Sequence, residues 1–282
     1  MAKKTKIAIA YDFDGTLAPG NMQEHSFMPS LGIDKDDFWA EVKIESKKHD
    51  MSEILAYMHL MLKHAKHKGM SISKKAFIEH GRGLKFFEGV EEYFSKINDY
   101  ALGKNILIEH YVISSGLRDI LRGTSIWKHF EVVFASAFKF DGSNVAEWPA
   151  LAVDYTNKTQ FLFRINKGIK NAWDNASINK FFKDEKRPIP FSRMIYIGDG
   201  ETDVPAMKMI TYQGGTAVAV FNPNQKTKAG RKAKKVCKEL IEQKRTDFLA
   251  PADFKEGSQL FNIIQLSIDK IAAECDLKKY TK

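Results

Sequence analysis

Two carboxylates stand two positions apart where an apolar run near the start of the chain ends. Residues 6–11 form that run, and it is followed by Asp12, Phe13, Asp14, Gly15 and Thr16. A buried carboxylate pair is costly without a compensating cation or proton. Mg²⁺ takes oxygen ligands and is typically held by one or two carboxylates together with a substrate phosphate. The pair therefore predicts a magnesium and phosphate site, with a solvated Asp-Gly turn as the alternative.

A second acidic motif follows another apolar run late in the chain. Ile197 is followed by Gly198, Asp199, Gly200, Glu201, Thr202 and Asp203. Asp199 and Asp203 bracket a glycine turn that opens a predicted helix, and Asp199 supplies a further oxygen ligand for a cation. Asp and Thr are also good helix caps, which is the alternative interpretation of this motif.

Two weaker motifs offer groups that bind an anion. Ser114, Ser115 and Gly116 end a predicted strand, and a hydroxyl with free backbone N–H groups at a helix start favours phosphate. A lysine between this strand and Asp199 would balance phosphate charge. Lys167, which precedes a predicted helix, is the first candidate and Lys158 is its competitor.

The elements that must position these groups alternate along the chain. Apolar strands are predicted at 6–11, 106–113, 130–135, 193–197 and 215–221, with a short strand at 247–249. Helical patterns separate them, at 89–102, 117–122, 168–182, 204–210, 225–243 and 257–273. Near-continuous apolar strands alternating with helices predict an α/β fold, a Rossmann-like and mostly parallel sheet with helices on both faces. Ligands of such sheets bind beyond the carboxyl ends of the strands, where all four motifs lie.

One segment departs from this alternation. Residues 19–86 contain no convincing strand, and helices are predicted at 34–47, 50–68 and 73–80. Asp50 with Glu53 resembles a capping box at the start of the second of these helices. We therefore expect an all-helical insert after the first strand, and a hairpin or loop at 141–157.

Taken together, the four motifs resemble the haloacid dehalogenase superfamily, and its phosphoserine-phosphatase-like phosphatase branch in particular. The residues that carry the resemblance are Asp12 to Thr16, Ser114 to Gly116, Lys167 with Gly168, and Gly198 to Asp203. The first and last motifs are specific, whereas the middle two are not. The resemblance implies a catalytic core of residues 1–18 and 87–282 and a helical cap of residues 19–86. Thr202 departs from the subgroup, which often has Asn at that position.

The resemblance also implies roles for individual residues in phosphomonoester hydrolysis. Asp12 is the expected nucleophile that forms an aspartyl-phosphate, and Asp14 the general acid and then the base. The expected Mg²⁺ ligands are Asp12, the main-chain carbonyl of Asp14, and Asp199, with Asp203 in or next to the ligand set. Ser114, Ser115, Gly116 and Lys167 are expected to bind the phosphate. A phosphomutase or phosphotransferase with the same core, and a non-enzymatic protein that binds an anion or nucleic acid, stay open as alternatives.

Charge and composition limit the partners. The chain has 282 residues and a formal net charge of +9, which favours anionic partners. Two basic clusters stand out, at 43–85 and 226–245, but no aromatic residue interleaves the second one, so nucleic acid is not expected. Only two cysteines occur and no apolar run approaches a membrane span, so we expect a cytoplasmic enzyme with no membrane partner. The sequence does not indicate an oligomeric state.

Overall fold

The computed structural model describes residues 4–183, 186–224, 226 and 228–280, and its centre is a seven-stranded sheet. The strands are β1 (Thr5–Tyr11), β2 (Ile106–Leu117), β3 (Val132–Phe140), β4 (Ala146–Leu151), β5 (Met194–Gly198), β6 (Thr216–Phe221) and β7 (Phe248–Pro251). Their order is β4-β3-β2-β1-β5-β6-β7, and every pairing is parallel except the hairpin of β3 and β4. The predicted α/β fold with a mostly parallel sheet is confirmed.

Helices connect the strands and cover both faces. They are α1 (Met22–His25), α2 (Phe27–Leu31), α3 (Lys35–His49), α4 (Glu53–His67), α5 (Lys74–Gly81), α6 (Val90–Gly103), α7 (Arg118–Leu121), α8 (Lys158–Lys167), α9 (Asn175–Asn179), α10 (Val204–Tyr212), α11 (Lys228–Glu242) and α12 (Gln259–Leu277). Gln225, the predicted start of α11, lies outside the described residues. Among the described residues, no helix combines the length and apolar character needed to cross a bilayer.

The segment after β1 is helical, as expected. It contributes α1 to α5. The chain then returns to the residues that follow β1, where the Phe87 N–H donates to the Leu17 carbonyl at 3.0 Å. The predicted capping box is wrong, because Ser52, not Asp50, caps α4 and accepts from the Ile54 N–H. Asp50 instead ends α3 in the left-handed conformation at φ 48°.

The predicted helix at 168–182 is also wrong. The longer helix nearby is α8, which ends at Lys167, and Gly168 follows it as a left-handed C-cap at φ 70°, while only the short α9 lies within 168–182. A glycine at this position terminates a helix because it adopts positive φ without steric cost. The correction moves the start of the helix to Lys158, the other candidate for the phosphate-balancing lysine.

Apolar side chains form a core on each face of the sheet. Ile7 and Ile9 of β1 belong to one core, while Ala8 and Ala10 belong to the other, as expected for alternate residues of a strand. The first core continues without a break into the helical insert, where it includes residues such as Phe77 of α5. The insert therefore packs onto the sheet through shared apolar contacts.

Candidate active site

The two acidic motifs meet at the carboxyl ends of two adjacent central strands. Tyr11 of β1 pairs with Ile197 of β5, so Asp12 and Asp199 leave adjacent parallel strands at the same end. Asp12, Asp199 and Asp203 each place one carboxylate oxygen within 4.8 Å of the others. A cluster of hard oxygen donors this close together suits a divalent cation such as Mg²⁺.

Lys158 is the cation that the structure places among these carboxylates. It is fully buried at the start of α8, and its Nζ lies 3.1 Å from Asp12 Oδ2 and 2.7 Å from Asp203 Oδ1. Burial disfavours the charge of Lys158, but attraction to Asp12 and Asp203 outweighs that cost and raises the pKa of the amine. Lys158 is therefore charged, and its positive charge can balance that of an anion bound beside Asp12.

The prediction for Lys167 is corrected by the same geometry. Its Nζ donates to the backbone carbonyls of Ile178 and Lys180, and it lies over the ring of Phe182. Lys167 occupies the last turn of α8, whereas Lys158 occupies the first. The two lysines are nine positions apart, so the helix holds them at opposite ends, and its first turn faces the acidic motifs.

Asp203 is held in place through both of its oxygens. Oδ1 accepts from Tyr196 Oη at 2.6 Å as well as from Lys158, and Oδ2 accepts from the Asp199 N–H at 3.2 Å. Tyr196 and Asp203 are both fully buried. These bonds fix the lysine and the turn that carries Asp199, so Asp203 organises the cluster.

The pKa of Asp12 is shifted from that of an ordinary carboxyl group. Burial raises its pKa to about 7, helped by repulsion from Asp203 and opposed by Lys158 and by the Phe13 N–H, which donates to Asp12 Oδ1 at 2.7 Å. The protein's own cations therefore leave the cluster with uncompensated negative charge, which a bound metal ion would neutralise.

Asp14 lies in the same cavity as Asp12, and its pKa is also raised. Its Oδ1 accepts from the Met22 N–H at 2.9 Å. Burial, and then repulsion from Asp12, raise the pKa of Asp14 well above that of an ordinary carboxyl group.

The residues of the serine motif, Ser114 to Gly116, differ in their surroundings. Ser114 is buried, and its Oγ accepts from the Gly116 N–H at 3.0 Å. Ser115 and Gly116 line the cavity in front of the carboxylates, whereas Ser114 is not among its lining residues. The Ser115 Oγ is buried and has no hydrogen-bond partner among the described residues. Ser115 is thus the hydroxyl that the structure leaves available to a ligand.

The cavity joins the acidic cluster to the helical insert. Its volume is about 420 Å³, which is within the usual range for small-molecule sites. The described residues that line it are Asp12, Asp14, Gly15, Gly20, Asn21, Gln23, Trp39, Glu53, Ile54, Tyr57, Phe87, Ser115, Gly116, Tyr155, Asp199, Thr202, Phe221 and Asn222.

Comparison with solved structures identifies the fold. A phosphoserine phosphatase solved as a phospho-aspartyl intermediate analogue aligns with a TM-score of 0.55 at 13% identity, over 93% of this chain and 99% of that one. A substrate-bound phosphoserine phosphatase gives 0.56 at 14%, with the same coverage. A HAD-family hydrolase from Salmonella enterica serovar Typhi gives 0.50 at 16%, over 76% of this chain and 61% of that one. This chain has the haloacid dehalogenase fold.

Sequence comparison is less informative about activity. No family model matches the chain. It is 29% identical over 289 residues to an uncharacterised protein of Borreliella burgdorferi strain B31, which covers 93% of this chain and 96% of that protein. The haloacid dehalogenase fold therefore rests on structure, and the chemistry rests on the side chains of this chain.

Gly15 shows how closely this haloacid dehalogenase fold packs its two acidic motifs. Gly15 has φ 74°, and a Cβ at this position would overlap the Asp199 carboxylate. Only glycine combines that backbone conformation with that approach. The glycine of the first motif is thus required by the second motif, 184 positions later in the chain.

Sequence reasoning missed Tyr196 and Tyr57. Tyr196 lies within β5 and appears in the sequence as an ordinary core residue, although alternation along a strand places it on the same face as Gly198. Tyr57 of α4 donates from its Oη to the Ser115 carbonyl at 2.6 Å, across 58 positions of sequence. No local pattern signals either contact, because Tyr57 and Ser115 lie in distant segments, and the Tyr196 hydroxyl reaches Asp203 only through the way the turn after β5 folds.

Proposed function

We propose that this protein is a Mg²⁺-dependent phosphomonoesterase of the haloacid dehalogenase superfamily that acts on a small phosphorylated molecule. The observation that carries the proposal is the convergence of Asp12, Asp14 and Asp199 on one small cavity, with Lys158 buried behind Asp12 and paired with it and with Asp203. Nucleophile, proton donor, metal ligands and a balancing cation are the groups that phosphoryl transfer through a carboxylate requires.

Mg²⁺ suits the donor set, which consists of hard carboxylate oxygens without nitrogen or sulfur ligands among the described residues. Asp12, the main-chain carbonyl of Asp14, and Asp199 are the proposed ligands, with Asp203 as a further oxygen of the cluster. When bound, the ion offsets the repulsion between the Asp12 carboxylate and the substrate phosphate.

In the proposed first step, an Asp12 carboxylate oxygen attacks phosphorus and the ester P–O bond breaks. The Asp14 carboxyl proton passes to the departing oxygen, which leaves as an alcohol. The raised pKa of Asp14 supports this role because the group retains the proton that it must donate. The products of the step are an aspartyl-phosphate at Asp12 and an ionised Asp14.

In the second step, water attacks the phosphorus of the aspartyl-phosphate. Asp14 takes the proton of that water, the acyl phosphate P–O bond breaks, and inorganic phosphate leaves. Asp12 is again a carboxylate and Asp14 again carries its proton, so the cycle closes. In this proposal, Ser115 and Gly116 of the cavity wall, with the charge of Lys158 beside Asp12, hold the phosphoryl oxygens in line for both attacks.

The test is loss of hydrolysis when the nucleophile is removed. Asp12→Asn is expected to lower kcat for p-nitrophenyl phosphate by at least about 10³-fold, because an amide is a poor nucleophile. Chelation of metal with EDTA should abolish activity, and added Mg²⁺ should restore it.

The matched control is Asp99→Asn, which makes the same chemical change at an exposed position of α6. That variant should retain wild-type kcat. If folded Asp12→Asn protein hydrolyses the ester at the wild-type rate, the proposal is wrong.

A further inference from the structure

The end of the cavity that the helical insert forms differs in character from the acidic end. Trp39 of α3, Glu53, Ile54 and Tyr57 of α4, and Gln23 of α1 line it. In a phosphatase site, this end faces the organic group of the substrate, because the phosphate lies at Asp12. Its chemistry therefore indicates which organic group fits.

Trp39 and Tyr57 are the two aromatic residues that line this end of the cavity. Trp39 Nε1 donates to Glu24 Oε1 at 2.8 Å, and Tyr57 Oη donates to the Ser115 carbonyl at 2.6 Å. Their ring centroids are 6.0 Å apart, with the planes inclined at 70°. Because both polar hydrogens are already used, these residues offer a ligand their aromatic rings and no hydrogen-bond donor. The π faces of such rings attract a cation.

One buried side chain at this end, that of Gln23, offers an acceptor. Gln23 is 2% exposed, and its Oε1 has no hydrogen-bond partner among the described residues. A buried acceptor without a partner costs free energy that a ligand donor would recover. Glu53 is exposed at the wall of the cavity, and its carboxylate makes no ion pair within the described part of the chain.

Positive charge is missing where an anionic group would need it. None of the described residues lining the cavity is Lys, Arg or His. The basic residues of the insert face elsewhere, as Lys63 and His64 do in pairing with Glu41. A carboxylate on the substrate would thus meet Glu53 without a counter-charge, which opposes binding.

We propose that the substrate is the phosphomonoester of a small amino alcohol with a primary ammonium group. The inference rests on the proposed phosphatase function. The ammonium lies against the rings of Trp39 and Tyr57, donates to Gln23 Oε1, and is balanced by Glu53. A cavity of about 420 Å³ holds a molecule of this size together with its phosphate.

Three esters that differ in one group test this substrate class. Phosphoethanolamine carries the ammonium, propyl phosphate replaces it with a methyl group, and phosphoserine adds a carboxylate. We expect kcat/KM for phosphoethanolamine to exceed that of each of the others by about tenfold or more. Glu53→Gln should reduce the preference for phosphoethanolamine over propyl phosphate severalfold, mainly through KM. Glu92→Gln, at an exposed position of α6, should leave that preference unchanged.

The outcomes separate this inference from the proposed function. If p-nitrophenyl phosphate is hydrolysed in an Asp12-dependent manner but phosphoserine or propyl phosphate is used as well as phosphoethanolamine, the inference on substrate class is overturned and the phosphatase stands. A preference that survives Glu53→Gln undiminished overturns the role of Glu53. If no ester, including p-nitrophenyl phosphate, is hydrolysed, the proposed function itself is overturned, and the inference with it.

Discussion

The buried charges around Asp12 form one linked set of side chains. Lys158 joins Asp12 to Asp203, and Asp203 in turn accepts from Tyr196 and from the backbone of Asp199. A buried ion pair offsets its desolvation cost only when its remaining hydrogen bonds are satisfied, as they are for Asp203. Removal of one member therefore leaves a buried charge unpaired and disturbs the others.

Substitution of the two candidate lysines distinguishes their roles. Lys158→Met should destabilise the fold by about 3–5 kcal/mol, since Asp203 loses its buried partner. It should also lower kcat by at least about 10²-fold, because the balancing charge is absent. Phosphatase assays and urea unfolding measure the two effects.

Lys167→Met is the matched control, because its amine contacts backbone carbonyls at the far end of α8. Its kcat should stay close to that of the wild type. Loss of activity in Lys167→Met, with Lys158→Met folded and active, would contradict the assignment.

At the scale of elements, the buried parallel strands were predictable, whereas the position of α8 was not. β1, β5 and β6 are apolar along nearly their whole length because both of their faces are buried, and that pattern is visible in the sequence. α8 instead buries Lys158 and Arg164 on its inner side. The Arg164 guanidinium bonds to the carbonyls of Asn171, Ala172 and Asp174, contacts that local periodicity does not reveal.

Strand β2 carries a buried histidine that links stability to pH. His110 Nδ1 lies 2.9 Å from Tyr11 Oη, and its Nε2 lies 3.0 Å from Asn98 Oδ1. Burial, and then the charge of His129, lower the pKa of His110 from 6.5 to about 3. His110 thus binds a proton below about pH 6.5 in the unfolded chain, but only below about pH 3 in the folded chain. The free energy of unfolding consequently falls as the pH drops through this window.

We expect the contribution of His110 to fall by about 1.4 kcal/mol per pH unit below about pH 6. His110→Gln removes this dependence, so the stability gap between the wild type and this variant should narrow from pH 6 to pH 4. Urea unfolding at several pH values measures the gap. A constant gap for His110→Gln would refute the prediction.

At the scale of the whole molecule, the helical insert and the sheet share one core. Phe77 of α5 stacks on Phe27 of α2 at 5.9 Å and on Phe138 of β3 at 5.4 Å between ring centroids. It therefore joins two helices of the insert to the sheet. The division into a core of 1–18 and 87–282 and a cap of 19–86 stays a prediction about chain segments, but the apolar packing couples them energetically.

Phe77→Ala tests this coupling. The substitution should destabilise the protein by about 3–5 kcal/mol, because it leaves a cavity between the insert and the sheet. A single unfolding transition should persist, as monitored by both circular dichroism and tryptophan fluorescence. Phe181→Ala removes a ring that is 85% exposed and should have little effect. Separate transitions for the insert and the sheet would contradict a shared core.

The sequence by itself determined the fold class, the acidic motifs and the edge of the sheet where they meet. Apolar runs and glycine turns are local, and parallel strands bring their carboxyl ends together whatever the loops do. Tertiary structure decided which lysine reaches Asp12, which serine hydroxyl stays available, and which side chains face the organic group of a ligand. Those choices depend on contacts such as Lys158 with Asp203 and Tyr57 with Ser115, which join residues 45 and 58 positions apart. Such distances lie beyond any helical or strand period, so only the folded chain resolves them.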